Sequence, residues 1–192
     1  MAWFDWGKRF RRATPDFEFN IYSNDQKITS KFVRAAKSAA TAGNVDAMMV
    51  LGGVAQYNGR VSEALEWFDR AWNAGESKAR VLAAELLRVT GDHEAAIAAF
   101  SEAARAGNSD AMFNLGNQYA GSGDNRQAVL WYVRCGEAGD PDGYFNASNS
   151  MVMLGELQNA GLLLRAAAEA GHPIAQTMLD AVRKSPPYTN PK

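Results

Sequence analysis

Hydrophobic residues recur along this chain with the spacing of amphipathic helices, and polar residues lie between them. The stretch AGNSDAMFNLGNQYAGSGD, residues 106–124, is representative. Its apolar residues share one face of a predicted helix: Ala111, Met112, Leu115 and Tyr119. Phe113, Asn114 and Asn117 fall on the opposite side, where a helix of this kind normally meets water. The pattern therefore predicts a helix with an aromatic ring and two amides on its outer face.

Glycine recurs in this chain with a period of 32 residues. The glycines of five Ala-Gly dipeptides are Gly43, Gly75, Gly107, Gly139 and Gly171. A second series runs half a period out of phase: Gly59, Gly91, Gly123 and Gly155. Each follows a helical apolar pattern, and glycine at such a position ends a helix in the left-handed conformation. Each 32-residue unit is therefore predicted to hold two helices joined by tight turns.

Residues that begin helices stand directly after these glycines. The predicted N-caps are Asn44, Asp92, Asn108, Asp124 and Asp140. Pro141 and Pro173 follow the cap position, where a missing N–H costs nothing, and His172 occupies the cap slot before Pro173. These residues predict where the helices begin.

Small and large apolar residues fill equivalent positions in every unit. In the first helix of each unit these are Ala47, Leu51, Gly52; Ala79, Ala83, Ala84; Ala111, Leu115, Gly116; and Gly143, Ala147, Ser148. In the second they are Ala64, Trp67, Phe68, Ala71; Ala96, Ala99, Phe100, Ala103; Ala128, Trp131, Tyr132, Cys135; and Ala160, Leu163, Leu164, Ala167. Small residues let helices approach closely, so these columns predict the core.

The repeat divides the chain into an N-terminal arm, a helical domain and a short tail. Residues 1–28 form the arm, residues 29–184 the repeat domain, and residues 185–192 a tail expected to fray. The full units are 44–75, 76–107, 108–139 and 140–171. Residues 29–42 match a lone second helix and residues 172–184 a lone first helix. About ten helices and an all-α fold are expected.

The third unit resembles the Sel1-like repeat, a relative of the tetratricopeptide repeat (TPR). The matching residues are Ala111, Leu115, Gly116, Tyr119, Gly123, Ala128, Trp131, Tyr132, Ala138 and Gly139. The first unit matches through Ala47, Met48, Leu51, Gly52, Tyr57, Gly59, Ala64, Trp67, Phe68, Ala74 and Gly75. The 32-residue unit is shorter than is usual for the family, and the paired cysteines of its secreted members are absent. The resemblance implies a right-handed α-solenoid and a protein-binding adaptor.

By analogy with the TPR arrangement, three columns of the first helices line the concave face. They contain Met49, Val50, Val81, Leu82, Glu85, Phe113, Asn114, Asn117, Phe145, Asn146 and Asn149. The first two units would present the apolar Met49, Val50, Val81 and Leu82. The next two would present phenylalanine flanked by asparagine, whose amide pairs with both N–H and C=O groups of an extended peptide. The alternative is that duplication copied the motif and the amides are solvated or bridge neighbouring helices.

No combination of residues in this sequence indicates catalysis or a cofactor. The two histidines, His93 and His172, are far apart and are interpreted as helix-terminus residues. The single cysteine, Cys135, stands in a small-residue column, which indicates a buried structural thiol. We therefore expect no catalytic residues, no metal and no cofactor. A net charge of -1 gives no reason to expect nucleic acid.

The N-terminal arm combines aromatic and basic residues. Trp3, Phe4, Trp6 and Phe10 lie within the same twelve residues as Lys8, Arg9, Arg11 and Arg12. Three interpretations remain open: a lid over the first helix, a contact with a partner, or a helix at a membrane interface. The sequence has neither the apolar run of a transmembrane helix nor the pattern of a secretory signal, which favours a cytoplasmic protein.

These observations predict a non-enzymatic adaptor that binds a protein segment on its concave face. The alternative is an inhibitor or immunity-type protein that neutralises one effector enzyme in a one-to-one complex. A hydrolase is the third class considered, and the sequence offers no nucleophile–histidine pair or metal cluster for it.

Overall fold

The computed structural model describes residues 26–184, and within them the chain forms ten α-helices and no strand. The helices are α1 (Gln26–Thr41), α2 (Val45–Tyr57), α3 (Val61–Asn73), α4 (Ser77–Val89), α5 (His93–Arg105), α6 (Ser109–Gly121), α7 (Asn125–Glu137), α8 (Pro141–Met153), α9 (Leu157–Glu169) and α10 (Pro173–Lys184). The all-α prediction is confirmed. Helix α1 begins three residues before the predicted start of the repeat domain at residue 29.

The glycine series ends the helices where the sequence predicts. All nine of its glycines have φ values between 70° and 98°. At Gly107, the Cβ of any other residue would strain this left-handed conformation, so glycine there closes α5 at little cost. The eight helices α2 to α9 consequently all have the same length of 13 residues, two per 32-residue repeat.

The predicted N-caps lie at the N-terminal ends of the helices and accept hydrogen bonds there. The side chains of Asn44, Asn108 and Asp124 each accept a hydrogen bond from the backbone N–H three residues later, at 2.9, 3.0 and 3.1 Å. Asp92 accepts from Ala95 in the same way, and Asp140 accepts from the N–H two residues later. Each bond satisfies an amide that the helix itself leaves unpaired.

The chain divides into two compact units, and the boundary falls inside α5 between Ala99 and Phe100. In the N-terminal unit, one apolar cluster joins α1, α2, α3 and α4. Phe68 is fully buried and packs against Gly52, where a Cβ would meet the Phe68 ring at 2.5 Å. Arg80 on α4 forms an ion pair with Asp69 on α3, with 2.6 Å between Nη1 and Oδ1.

In the C-terminal unit, helices α6 to α9 pack around Ala128, Tyr132 and Ala147. Helices α7 and α8 approach so closely that a Cβ at Gly143 would strike the Tyr132 carbonyl oxygen and the backbone of Gly136. The hydroxyl of buried Ser148 donates to the Ala160 carbonyl oxygen at 2.8 Å and so links α8 to α9.

The predicted core columns are confirmed with four partial exceptions. Their members are buried, apart from the half-buried side chains of Trp67, Trp131, Leu163 and Leu164. The two tryptophans hold an arginine of their own helix over the ring: Arg70 and Arg134 each lie 4.8 Å from the ring centroid. A guanidinium thus packs over each indole as a cation–π contact.

Candidate protein-binding face

Helices α6 and α8 of the C-terminal unit carry the same motif in the same register. Phe113, Asn114 and Asn117 of α6 correspond to Phe145, Asn146 and Asn149 of α8, and we refer to these six residues as the Phe–Asn face. Because Asn108 and Asp140 cap the two helices at equivalent positions, the motif starts at the same turn in each. The repeat is therefore one of structure as well as of sequence.

Two asparagines of the Phe–Asn face are held in the same way. The Nδ2 atom of Asn114 donates to the Asp110 carbonyl oxygen at 2.9 Å, and that of Asn146 donates to the Asp142 carbonyl oxygen at 2.8 Å. A carbonyl oxygen accepts only, so the orientation of each amide is unambiguous. Within residues 26–184, the Oδ1 atoms of these two asparagines accept no hydrogen bond.

Asn117 has a different role, because it is bonded to the core. The buried phenol of Tyr132 on α7 donates to Asn117 Oδ1 at 2.7 Å, and the Phe113 ring lies tilted against the Tyr132 ring with centroids 5.7 Å apart. Burial is the main cause that raises the pKa of the Tyr132 phenol, and the nearby Cys135 adds to it. The phenol therefore keeps the proton that it donates. Of the open alternatives, bridging between neighbouring helices is thus the one that Asn117 follows.

Phe145 is held by a residue from the next helix. Its ring stacks on the imidazole of His172 at a centroid distance of 4.3 Å and an angle of 10°. The His172 Nδ1 atom accepts from the Ala175 N–H at 3.1 Å, as an N-cap of α10, so the ring proton lies on Nε2. That Nε2 atom lies 3.3 Å from Asp142 Oδ1. Sequence reasoning identified the cap but missed the stack.

Asn149 is the least constrained residue of the Phe–Asn face. It is exposed, and its side chain makes no hydrogen bond within the part of the chain that the structure describes. The position that Tyr132 takes opposite Asn117 is taken by Leu164 opposite Asn149, and leucine has no polar group to offer. The same motif thus leaves one amide engaged and the other open to solvent.

The predicted apolar surface of the first two repeats is wrong for three of its residues. Met49, Val50 and Val81 are buried, with exposed fractions of 3%, 4% and 6%. Met49 packs in the apolar cluster that also contains Ala36 and Ala40, because α1 supplies a neighbouring helix. Leu82 and Glu85 are half-buried. The predicted contact residues of the arm, Trp3, Phe4, Trp6 and Phe10, lie outside the described residues.

The residues considered for chemistry occupy structural positions. Cys135 is fully buried, and burial raises the pKa of its thiol to about 12, with a further contribution from its contact with Asp140. His93 is exposed at the first residue of α5. In the described chain, no three histidine, cysteine or carboxylate side chains come together as metal ligands do. None of the helices searched there is both long and apolar enough to cross a membrane.

Comparisons with known proteins identify the fold. No protein-family model and no curated protein matches the sequence. Among solved structures, the chain is similar to a Sel1 repeat protein from Oxalobacter formigenes, with a TM-score of 0.61 and 21% identity over 94% of this chain and 79% of that one. It is also similar to MamA, with a TM-score of 0.56 and 21% identity over 83% of this chain and 99% of that one.

A third similar structure is YrrB, described as a TPR protein with an unusual peptide-binding site. Its TM-score is 0.52 and its identity 18%, over 79% of this chain and 83% of that one. The resemblance drawn from the glycine, alanine and aromatic positions is therefore confirmed by three structures. This chain has the helical-repeat fold of the Sel1-like and tetratricopeptide repeat proteins.

Proposed function

We propose that this protein is a non-enzymatic adaptor that binds an extended segment of a partner protein on the Phe–Asn face. The observation that carries the proposal is the paired geometry of Asn114 and Asn146. Each amide is fixed by a bond to the carbonyl oxygen four residues earlier, and each leaves Oδ1 and one N–H without a protein partner in the described chain.

Fixed amides suit the recognition of an extended backbone. One asparagine amide offers both an acceptor and a donor, which match the N–H and C=O of a peptide group. Because the side chains are already ordered by their backbone bonds, binding costs less rotamer entropy than it would with free side chains. Asparagine is a middling residue in a helix interior, so its repeated use there suits a role in binding.

The half-buried rings of Phe113 and Phe145 supply the apolar part of this surface. Each ring packs against another ring of the C-terminal unit: Phe113 contacts Tyr132, and Phe145 contacts His172. Rigid aromatic rings beside fixed polar groups are common features of protein-binding surfaces. YrrB, a structure of the same fold, is described as peptide-binding, which supports this class of function.

The test is affinity capture from a lysate of the source cells, followed by mass spectrometry. Wild-type protein is compared with Asn114→Ala/Asn146→Ala. The matched control is Asn58→Ala/Asn73→Ala in the N-terminal unit, because Asn58 makes the same type of bond, Nδ2 to the Val54 carbonyl oxygen at 2.7 Å, and neither residue belongs to the Phe–Asn face. Alanine is the better helix former, so the thermal midpoint should not fall in the face variant.

We expect wild type and control to retain the same partner and the face variant to lose it. Equal retention by all three proteins would contradict the proposal. If the retained partner is an enzyme, its activity is measured with stoichiometric wild-type protein. Complete inhibition at a one-to-one ratio would favour an inhibitor over an adaptor.

A further inference from the structure

We infer that the partner segment bound by the Phe–Asn face is basic, with lysine or arginine side chains beside its apolar ones. This inference rests on the proposed function and specifies the chemistry of the partner. It follows from the distribution of charge between the helices of the C-terminal unit and from the position of Asp110.

The helices that form the Phe–Asn face contain no basic residue. Residues 108–124 and 140–156, which include α6, α8 and their turns, hold five carboxylates and no lysine or arginine. The carboxylates are those of Asp110, Asp124, Asp140, Asp142 and Glu156. The arginines of the helices that follow each of these are Arg126 and Arg134 on α7 and Arg165 on α9. Helix α4 of the N-terminal unit, in contrast, carries Lys78, Arg80 and Arg88.

Three of these carboxylates stand at the N-terminal ends of the two helices: Asp110 lies in the first turn of α6, Asp142 lies in the first turn of α8, and Asp140 is the N-cap of α8. The negative charges of all three help to raise the pKa of the buried Cys135 thiol. Asp140 is occupied as the cap of α8, and Asp142 has the His172 Nε2 atom at 3.3 Å. The exposed carboxylate of Asp110 has no cationic partner in the described chain.

The spacing along α6 places the Asp110 carboxylate next to Phe113 and Asn114. Asp110 precedes Phe113 by three residues and Asn114 by four, so all three share one side of α6 across a single turn. The same relation holds for Asp142, Phe145 and Asn146 on α8. A segment that pairs its peptide groups with Asn114 would thus bring neighbouring side chains within reach of Asp110. Basic side chains would be attracted there and acidic ones repelled.

The experiment uses a positional-scanning library of fluorescein-labelled, N-acetylated nonapeptides, read by fluorescence polarisation with the full-length protein. The proteins compared are wild type, Asp110→Asn, Asp110→Glu and Asn114→Ala/Asn146→Ala. Glu137→Gln is the control, because it removes one exposed negative charge from α7 rather than from the face. Each protein is measured at about 50 and about 300 mM KCl, since screening weakens contacts between exposed charges.

We expect wild type to prefer lysine or arginine at one or more positions, more strongly at low salt. Asp110→Asn should lower that preference about three- to fivefold, as expected for an exposed charge pair, while Asp110→Glu and Glu137→Gln keep it. Peptides bound without a basic preference, or with one that Asp110→Asn leaves unchanged, would overturn the inference and leave the proposed function standing. Peptides bound equally by wild type and Asn114→Ala/Asn146→Ala, or not bound by either, would overturn both.

Discussion

The phenol hydroxyl of Tyr132 donates a 2.7 Å hydrogen bond to the Oδ1 atom of Asn117, so a core residue of α7 is joined to the outer face of α6. Two repeats earlier, Phe68 and Gly53 occupy the corresponding positions, and neither has a polar side-chain group. One repeat later, Asn149 keeps the acceptor but stands opposite Leu164 and makes no such bond within the described residues, so the bond depends on the tyrosine hydroxyl. This pairing accounts for Asn117 by a structural role.

Replacing Tyr132 by phenylalanine should lower the free energy of unfolding by about 0.5–1.5 kcal/mol, the net value of a typical hydrogen bond. Asn117→Ala should cost more, about 1–3 kcal/mol, because it leaves a buried hydroxyl without an acceptor. Urea denaturation of both single variants and the double variant measures the coupling between them. Strictly additive effects would show that the bond contributes nothing to stability.

The Gly116→Ala variant should be destabilised, because the added Cβ would lie 2.5 Å from two carbons of the Tyr132 ring. Overpacking of this kind typically costs about 1–3 kcal/mol. Gly161→Ala, in the exposed interior of α9, is the matched control, since nothing lies within 4 Å of its Cβ position. It should gain about 0.5–1 kcal/mol from helix propensity. Thermal unfolding of both variants decides the matter, and a stabilised Gly116→Ala would contradict the packing described here.

His172→Ala should loosen α10, because the N-cap bond to the Ala175 N–H and the stack on Phe145 are lost together. Loss of a cap costs about 1 kcal/mol and loss of an aromatic pair about 0.5–1.5 kcal/mol. His172→Asn retains a capping acceptor and should recover about 1 kcal/mol of the difference. Amide hydrogen exchange along α10, together with the thermal midpoint, measures this. Identical losses in the two variants would show that the cap is not stabilising.

The Cys135 thiol should be unreactive in the folded protein. Because burial raises its pKa to about 12, the thiolate that reacts with Ellman's reagent is nearly absent at pH 8. Labelling should therefore be slow in buffer and fast in 8 M urea, about a hundredfold apart or more. Fast labelling without denaturant would show that the helix packing around Cys135 opens readily.

The same pKa shift predicts a loss of stability at alkaline pH. The thiol ionises near pH 9 in the unfolded chain and near pH 12 in the folded one, so between these values only the folded state keeps the proton. The free energy of unfolding should therefore fall by up to about 1.4 kcal/mol per pH unit as the pH rises above 9. Cys135→Ala, which installs the residue found at Ala71, Ala103 and Ala167, should remove that part of the slope. A slope unchanged by the substitution would contradict this assignment.

Sequence reasoning predicted the local structure well because its causes are local. A glycine that must adopt a positive φ, as at Gly107 and Gly123, ends a helix by its own conformational freedom. A cap such as Asn108 satisfies an amide only three residues away. With a constant period, these short-range signals also determined which residues form the core columns and that the chain is an all-α repeat protein.

The composition of the candidate face, in contrast, depended on contacts between each helix and the helices packed against it. The helical period placed Met49, Val50 and Val81 off the main core columns, but in the structure all three are buried, Met49 in a cluster that includes residues of α1. Equivalent asparagines also differ in role, because Asn117 meets a tyrosine and Asn149 faces solvent beside a leucine position. The sequence by itself thus determined the helices, their ends and their repeat. Only the tertiary structure decided which outer residues remain available for a partner, because burial is a property of what packs against a helix and not of the helix alone.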